Sequence, residues 1–179
     1  MKKIEWFWNH IHYTFYKWDV NLSKVFSYLL PFHWINKITS IKRHKARNGM
    51  ADMNGFFQGM MNSPKHGISI SMANKYIGGI IVLFEFSICF VFEAFTKKSI
   101  FLGSNDKITY YNIPSFIIML LIPYLINNQL LYKNNKYLEY FKEFDLMTPK
   151  ERVKWGIVTF IVVLLTVGSF FLSLQMIHN

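Results

Sequence analysis

WGIVTFIVVLLTVGSFFLSLQMI, residues 155–177, carries no charged side chain in 23 positions. A helix of about 20 apolar residues crosses the hydrocarbon core of a bilayer. This stretch alone therefore predicts a transmembrane span and fixes the medium in which the rest of the chain is read. Two further apolar blocks precede it. Residues 76–96, YIGGIIVLFEFSICFVFEAFT, qualify despite two glutamates, and residues 113–132, IPSFIIMLLIPYLINNQLLY, are interrupted by Asn127, Asn128 and Gln129. The 179-residue chain reads as all-α: an integral membrane protein with three transmembrane helices, preceded by an amphipathic interfacial helix.

Charge sets the orientation. The chain holds 20 Lys and Arg against 10 Asp and Glu. Eleven of the basic residues lie in 1–75, three in 97–112, six in 133–154 and none after Ile177. The positive-inside rule then predicts a cytoplasmic amino terminus and a periplasmic carboxyl terminus, with 17 basic residues inside and three outside. The preference for Lys over Arg, with many Asn and Ile, fits an AT-rich bacterial genome and hence a bacterial inner membrane. The net charge of +10 beside membrane spans points to anionic headgroups rather than nucleic acid. Cys89 is the only cysteine, which excludes an internal disulfide, a thiol redox pair and a cysteine zinc site.

Residues 1–72 read as a cytoplasmic and interfacial region, and 73–179 as the three-helix membrane domain. MKKIEWFWNHIHYTF has the charged start of a signal peptide, but Glu5, Asn9, His10 and His12 break any apolar core, so the segment is expected to be retained. Ile4, Phe7, Ile11, Phe15, Trp18, Leu22, Val25 and Leu29 recur every three or four residues, an amphipathic helix suited to the headgroup layer. Pro31 ends or kinks it. Lys42, Arg43, Lys45 and Arg47 then form a candidate contact for anionic lipid. Residues 50–61 place several methionines along one side, residues 63–67 read as a turn, and Ser71 is a candidate cap for the first span.

Between spans two and three, Pro114 suits a first helical turn, and Pro123 is expected to kink the second span near its middle. Beyond the membrane the helix is expected to continue to about Asp145. Thr148, Pro149 and Glu151 spell a capping box for the third helix.

Few residues could carry chemistry. Glu85 lies mid-span, where an ionisable side chain is a functional hypothesis by default. Asn127 and Thr166 lie at similar depth, so the three form a candidate intramembrane polar site. Interhelical glue, a proton or ion relay and an intersubunit contact all stay open for it. Thr159, Thr166 and Ser173 recur at heptad spacing as a candidate helix-packing seam. The six histidines are scattered, and His10 and His12 point to different faces of a helix, so no metal site is predicted. No hydrolase, nucleotide-binding or metalloprotease motif is present. The expectation is a protein without catalytic residues or a cofactor.

Tyr137-Leu-Glu-Tyr-Phe-Lys-Glu-Phe-Asp, then Thr148-Pro-Lys-Glu-Arg, then a last span ending Ser173-Leu-Gln-Met-Ile resembles, in layout over residues 75–179, small three-span membrane proteins of Bacteroidota with no assigned activity. The resemblance implies localisation and topology and gives no residue a role. The expected function is contact with lipid and with a protein partner or a second copy, as an accessory subunit of a membrane assembly or an immunity-type protein. The alternative is a small oligomeric proton or ion conductor using Glu85.

Overall fold

A computed structural model describes residues 2–29, 59–97 and 113–178. The Lys42, Arg43, Lys45 and Arg47 cluster lies outside these residues, as do most of 50–61 and most of the loop after Lys97. Among the described residues the chain is almost wholly helical, with no strand. Helix α1 runs Lys2–Leu29, α2 Ile68–Thr96 and α3 Ile113–Asn127. A π-helical turn at Asn128–Tyr132 and a 3-10 turn at Lys133–Asn135 follow, then α4 at Lys136–Asp145 and α5 at Pro149–His178.

Three helical stretches are long and apolar enough to cross a membrane: Ile68–Thr96, Phe116–Asp145 and Pro149–Ile177. Only 11–22% of the most apolar window of each is buried within the protein. Phe84, Ile88, Leu120, Tyr124, Leu165 and Leu172 are among the side chains turned outward. A soluble protein rarely exposes so continuous an apolar surface, whereas in hydrocarbon that exposure carries no penalty. The molecule is a multi-pass all-α membrane protein.

The chain divides into two compact units. One combines Met1–Ile11 with Tyr76–Asn179, and the other is His12–Lys75. The sequence predicts one boundary, near residue 72. The structure assigns the first eleven residues to the unit that holds the apolar spans.

In the second unit, α2 begins at Ile68, eight residues before the expected first span, so Ser71 lies inside the helix and caps nothing. The start is set by a tight turn. Ser63 Oγ accepts from the backbone N–H groups of Lys65 and His66 at 3.4 and 3.3 Å, and the N–H of Gly67 donates to Ser63 O at 2.9 Å. A Cβ at Gly67 would sit 2.5–2.7 Å from the backbone of Met61 and Ser63, so only glycine fits. In α1 every residue from Asn9 to Tyr16 is buried, polar ones included. This differs from the expected stripe, in which Ile11 and Phe15 face the membrane; Ile4, Trp18, Leu22 and Val25 of that stripe remain exposed.

In the first unit, α5 starts with the expected capping box. Thr148 N–H donates to Glu151 Oε2 at 2.8 Å and Glu151 N–H to Thr148 Oγ1 at 3.4 Å, with Pro149 as first helical residue. The second span departs from expectation. It does not run on as one α-helix to Asp145: the kink lies at Asn134, φ 60° and ψ 23°, followed by left-handed Asn135 at φ 54°. Left-handed backbone costs an ordinary residue roughly 1–2 kcal/mol, and asparagine tolerates it better than most. Pro123 sits inside α3, and the ladder first leaves α geometry at Asn128.

Candidate functional site

The first three turns of α1 assemble a polar and aromatic cluster with the end of α3, the π turn, α4 and the start of α5. Trp8 Nε1 donates to Asn127 Oδ1 at 3.0 Å, and Asn127 is 5% exposed. Asn9, fully buried, donates through Nδ2 to Leu130 O at 3.0 Å and to Glu5 O at 2.8 Å. The Leu130 carbonyl, within the π turn, thus accepts a side-chain donor where the regular ladder is interrupted. Glu5 accepts from Lys136 Nζ at 3.0 Å on one oxygen and from the Tyr140 hydroxyl at 3.3 Å on the other.

His10 completes the cluster. Its ring centroid lies 3.5 Å from that of Phe144, 4.0 Å from Trp155 and 3.9 Å from Trp6. Nδ1–H donates to the Trp6 carbonyl at 3.1 Å, which fixes the tautomer of the neutral ring. Burial lowers its pKa from the ordinary histidine value, against the opposing pull of the Trp6 carbonyl and Glu143.

Glu85 is half-buried, and both of its carboxyl oxygens are covered without a hydrogen-bond partner among the described residues. Ser87 Oγ lies 3.4 Å from Ser169 Oγ, and the Phe90 and Phe170 rings are 5.8 Å apart. The two contacts set α2 and α5 side by side in the same direction, with Glu85 at about the level of Thr166. Level is not contact: Thr166 Oγ1 donates to Val162 O in its own helix at 2.9 Å, and Asn127 is taken by Trp8. The expected site of Glu85, Asn127 and Thr166 is therefore not joined by hydrogen bonds. Asn127, near the end of its helix, is claimed by an indole that the sequence reading assigned to another layer.

Thr159, Thr166 and Ser173 are all buried, at 0%, 7% and 1% exposure. Ser173 bonds back to Phe170 O at 2.7 Å, while Thr159 Oγ1 has no partner among the described residues. These three side chains form a buried stripe on a helix whose other faces are largely exposed.

The second unit has its own buried polar pair. His12 Nε2–H donates to Asn74 Oδ1 at 2.7 Å, and burial drives the imidazole pKa down to about 4, against the effect of that bond. The Tyr16 hydroxyl donates to Asn62 O, and Ser23 Oγ to Asn62 Oδ1 at 3.1 Å. His10 and His12 serve separate partners, as residues two apart on a helix must.

Sequence reasoning misses the cluster around His10 because polar residues off the apolar stripe of α1 are expected to face water or headgroups, not another helix. The available signal was the run Trp8, Asn9 and His10, outside the apolar stripe, together with Asn127, Asn128 and Gln129 at the end of an apolar block. No group of three or more metal-ligating side chains occurs among the described residues. Compared with known proteins, the chain matches no family model, no curated protein and no solved structure.

Proposed function

We propose that this chain is a non-enzymatic integral protein of a bacterial inner membrane that acts through contacts, as an accessory subunit of a membrane assembly or an immunity-type protein. The observation that carries the reading is the uncovered apolar side of α1. Ile4, Trp18, Leu22 and Val25 stay exposed on a helix whose middle is fully enclosed. Such a face matches a lipid interface or a partner helix. The distribution of basic residues supports a cytoplasmic amino terminus and a periplasmic carboxyl terminus. Lys42, Arg43, Lys45 and Arg47 supply charge for anionic headgroups, and the resemblance in layout to small three-span proteins of Bacteroidota implies the same placement. Homo-oligomerisation belongs to the same reading, and nucleic acid has no part in it.

Full-length protein purified in mild detergent tests it, beside a Leu22→Asp/Val25→Asp variant. The expected result is a defined protein or lipid that accompanies the wild type and is lost from the variant. Identical company for both chains removes the reading. A reporter fused after Asn179 is expected to be active only in the periplasm; cytoplasmic activity overturns the orientation.

One observation favours a second reading. The Glu85 carboxyl, covered and unpaired among the described residues, is the arrangement an oligomeric proton or ion conductor would need from each copy. Reconstituted flux that disappears in Glu85→Gln supports this alternative, and flux unchanged by that substitution removes it.

A further inference from the structure

We infer that the first eleven residues are a strap that holds the second span in its bent form, so that strap docking and bending make one two-state element. The argument is one of reach. Asn9 and His10 are neighbours on α1, about 1.5 Å apart along its axis. Asn9 grips the Leu130 carbonyl and His10 stacks on Phe144. Were residues 113–145 one straight helix, Leu130 and Phe144 would stand about 21 Å apart along it. Two adjacent side chains cannot touch both.

The remaining contacts divide in the same way. Trp8 holds Asn127 before the bend, and Glu5 holds Lys136 and Tyr140 after it. The bend itself rests on Asn134 and Asn135 in left-handed conformation, both exposed. No glycine or proline in 128–135 requires that conformation. A straight helix must release the strap, and a docked strap must impose the bend. A ligand that binds only one of the two states shifts the balance by its differential affinity. This inference does not depend on the orientation proposed above or on Glu85.

The test places spin labels at Ile118→Cys and Lys142→Cys, both exposed positions, in full-length protein carrying Cys89→Ser. In a straight helix the 24-residue separation spans about 36 Å. Wild type is expected to give one shorter distance. Trp8→Phe/Asn9→Ala, which weakens the strap, is expected to add a population near 36 Å. So is Asn134→Ala/Asn135→Ala, which favours a continuous helix. In the latter variant amide exchange over residues 2–11 is expected to rise at least tenfold, because coupling is reciprocal. If the strap variant fails to fold, Asn134→Ala/Asn135→Ala decides alone, since it alters only exposed side chains. An unchanged distance in Asn134→Ala/Asn135→Ala overturns the inference, and so does straightening with residues 2–11 still protected.

Discussion

Lowering the pH from 7.5 to 5.0 is expected to destabilise the folded protein by about 2 kcal/mol through one side chain, His12. The imidazole is fully buried and gives its Nε2–H to Asn74 Oδ1 at 2.7 Å. Burial holds its pKa at about 4 in the folded state, against about 6.5 for a histidine in the unfolded chain. The folded state therefore binds fewer protons than the unfolded state between those values. Stability is complete above about pH 6.5 and is lost as the pH falls towards 4. The full difference of 2.5 pH units corresponds to about 3 kcal/mol, of which about 2 kcal/mol is lost by pH 5.0, a change of roughly thirtyfold in the folding equilibrium. His12→Gln removes the titration while offering an amide N–H near the place of imidazole Nε2. Unfolding of both full-length chains in detergent, followed at pH 7.5, 6.0 and 5.0, measures the effect. Every other titrating group is common to the two proteins, so its contribution cancels in the comparison. Parallel stability profiles for wild type and His12→Gln would refute the reasoning.

Other substitutions test other links. Thr148→Ala removes both hydroxyl contacts of the capping box and is expected to lower stability by about 1 kcal/mol, with exchange rising first in the opening turn of α5. Gly67→Ala forces a Cβ to within 2.5–2.7 Å of backbone atoms, so a loss of about 1–3 kcal/mol is expected in thermal unfolding, while Gly79→Ala, with open space around it, is expected to be tolerated. Asn127→Leu leaves the Trp8 indole N–H without its acceptor and is expected to cost about 1–3 kcal/mol, despite making the second span more apolar. Better stability in that variant would show that the indole contact contributes nothing.

The apolar blocks were legible because a hydrocarbon solvent imposes a composition, and composition survives without knowledge of any contact. The cap at Thr148 was legible for a related reason: its partners lie three residues apart, so sequence order is spatial order. The early start of α2 was not, since residues 68–75 mix Ser, Asn and Lys and lack the signature of a span. Their helix is launched by a turn whose tightness only the backbone around Gly67 reveals. The bend at Asn134 and Asn135 left a faint trace, two consecutive residues tolerant of left-handed backbone. Local preference alone would still have run the helix straight. Its cause lies 119–135 residues away along the chain, in contacts made by Glu5, Trp8 and Asn9.

Asn127, Asn128 and Gln129 weakened the second span as a transmembrane signal, and the structure gives that weakness a cause. A polar side chain in hydrocarbon demands a partner, and a strongly apolar span offers few. Asn127 obtains an indole N–H, and the Leu130 carbonyl, beside the interrupted ladder, obtains an amide from Asn9. Both donors come from α1, from positions outside its apolar stripe. The polar break in one segment and the polar side of the other are complementary. An interruption in an apolar block and polar donors on the far side of an amphipathic helix can therefore be read together, as two halves of one buried polar contact, provided each supplies the donor or acceptor that the other lacks. Removing Asn9 while keeping Asn127 leaves the Leu130 carbonyl to find another donor. The nearest remedy is for the chain to restore its own helical ladder by straightening, which is why Asn9→Ala is expected to change the shape of the second span as well as its stability.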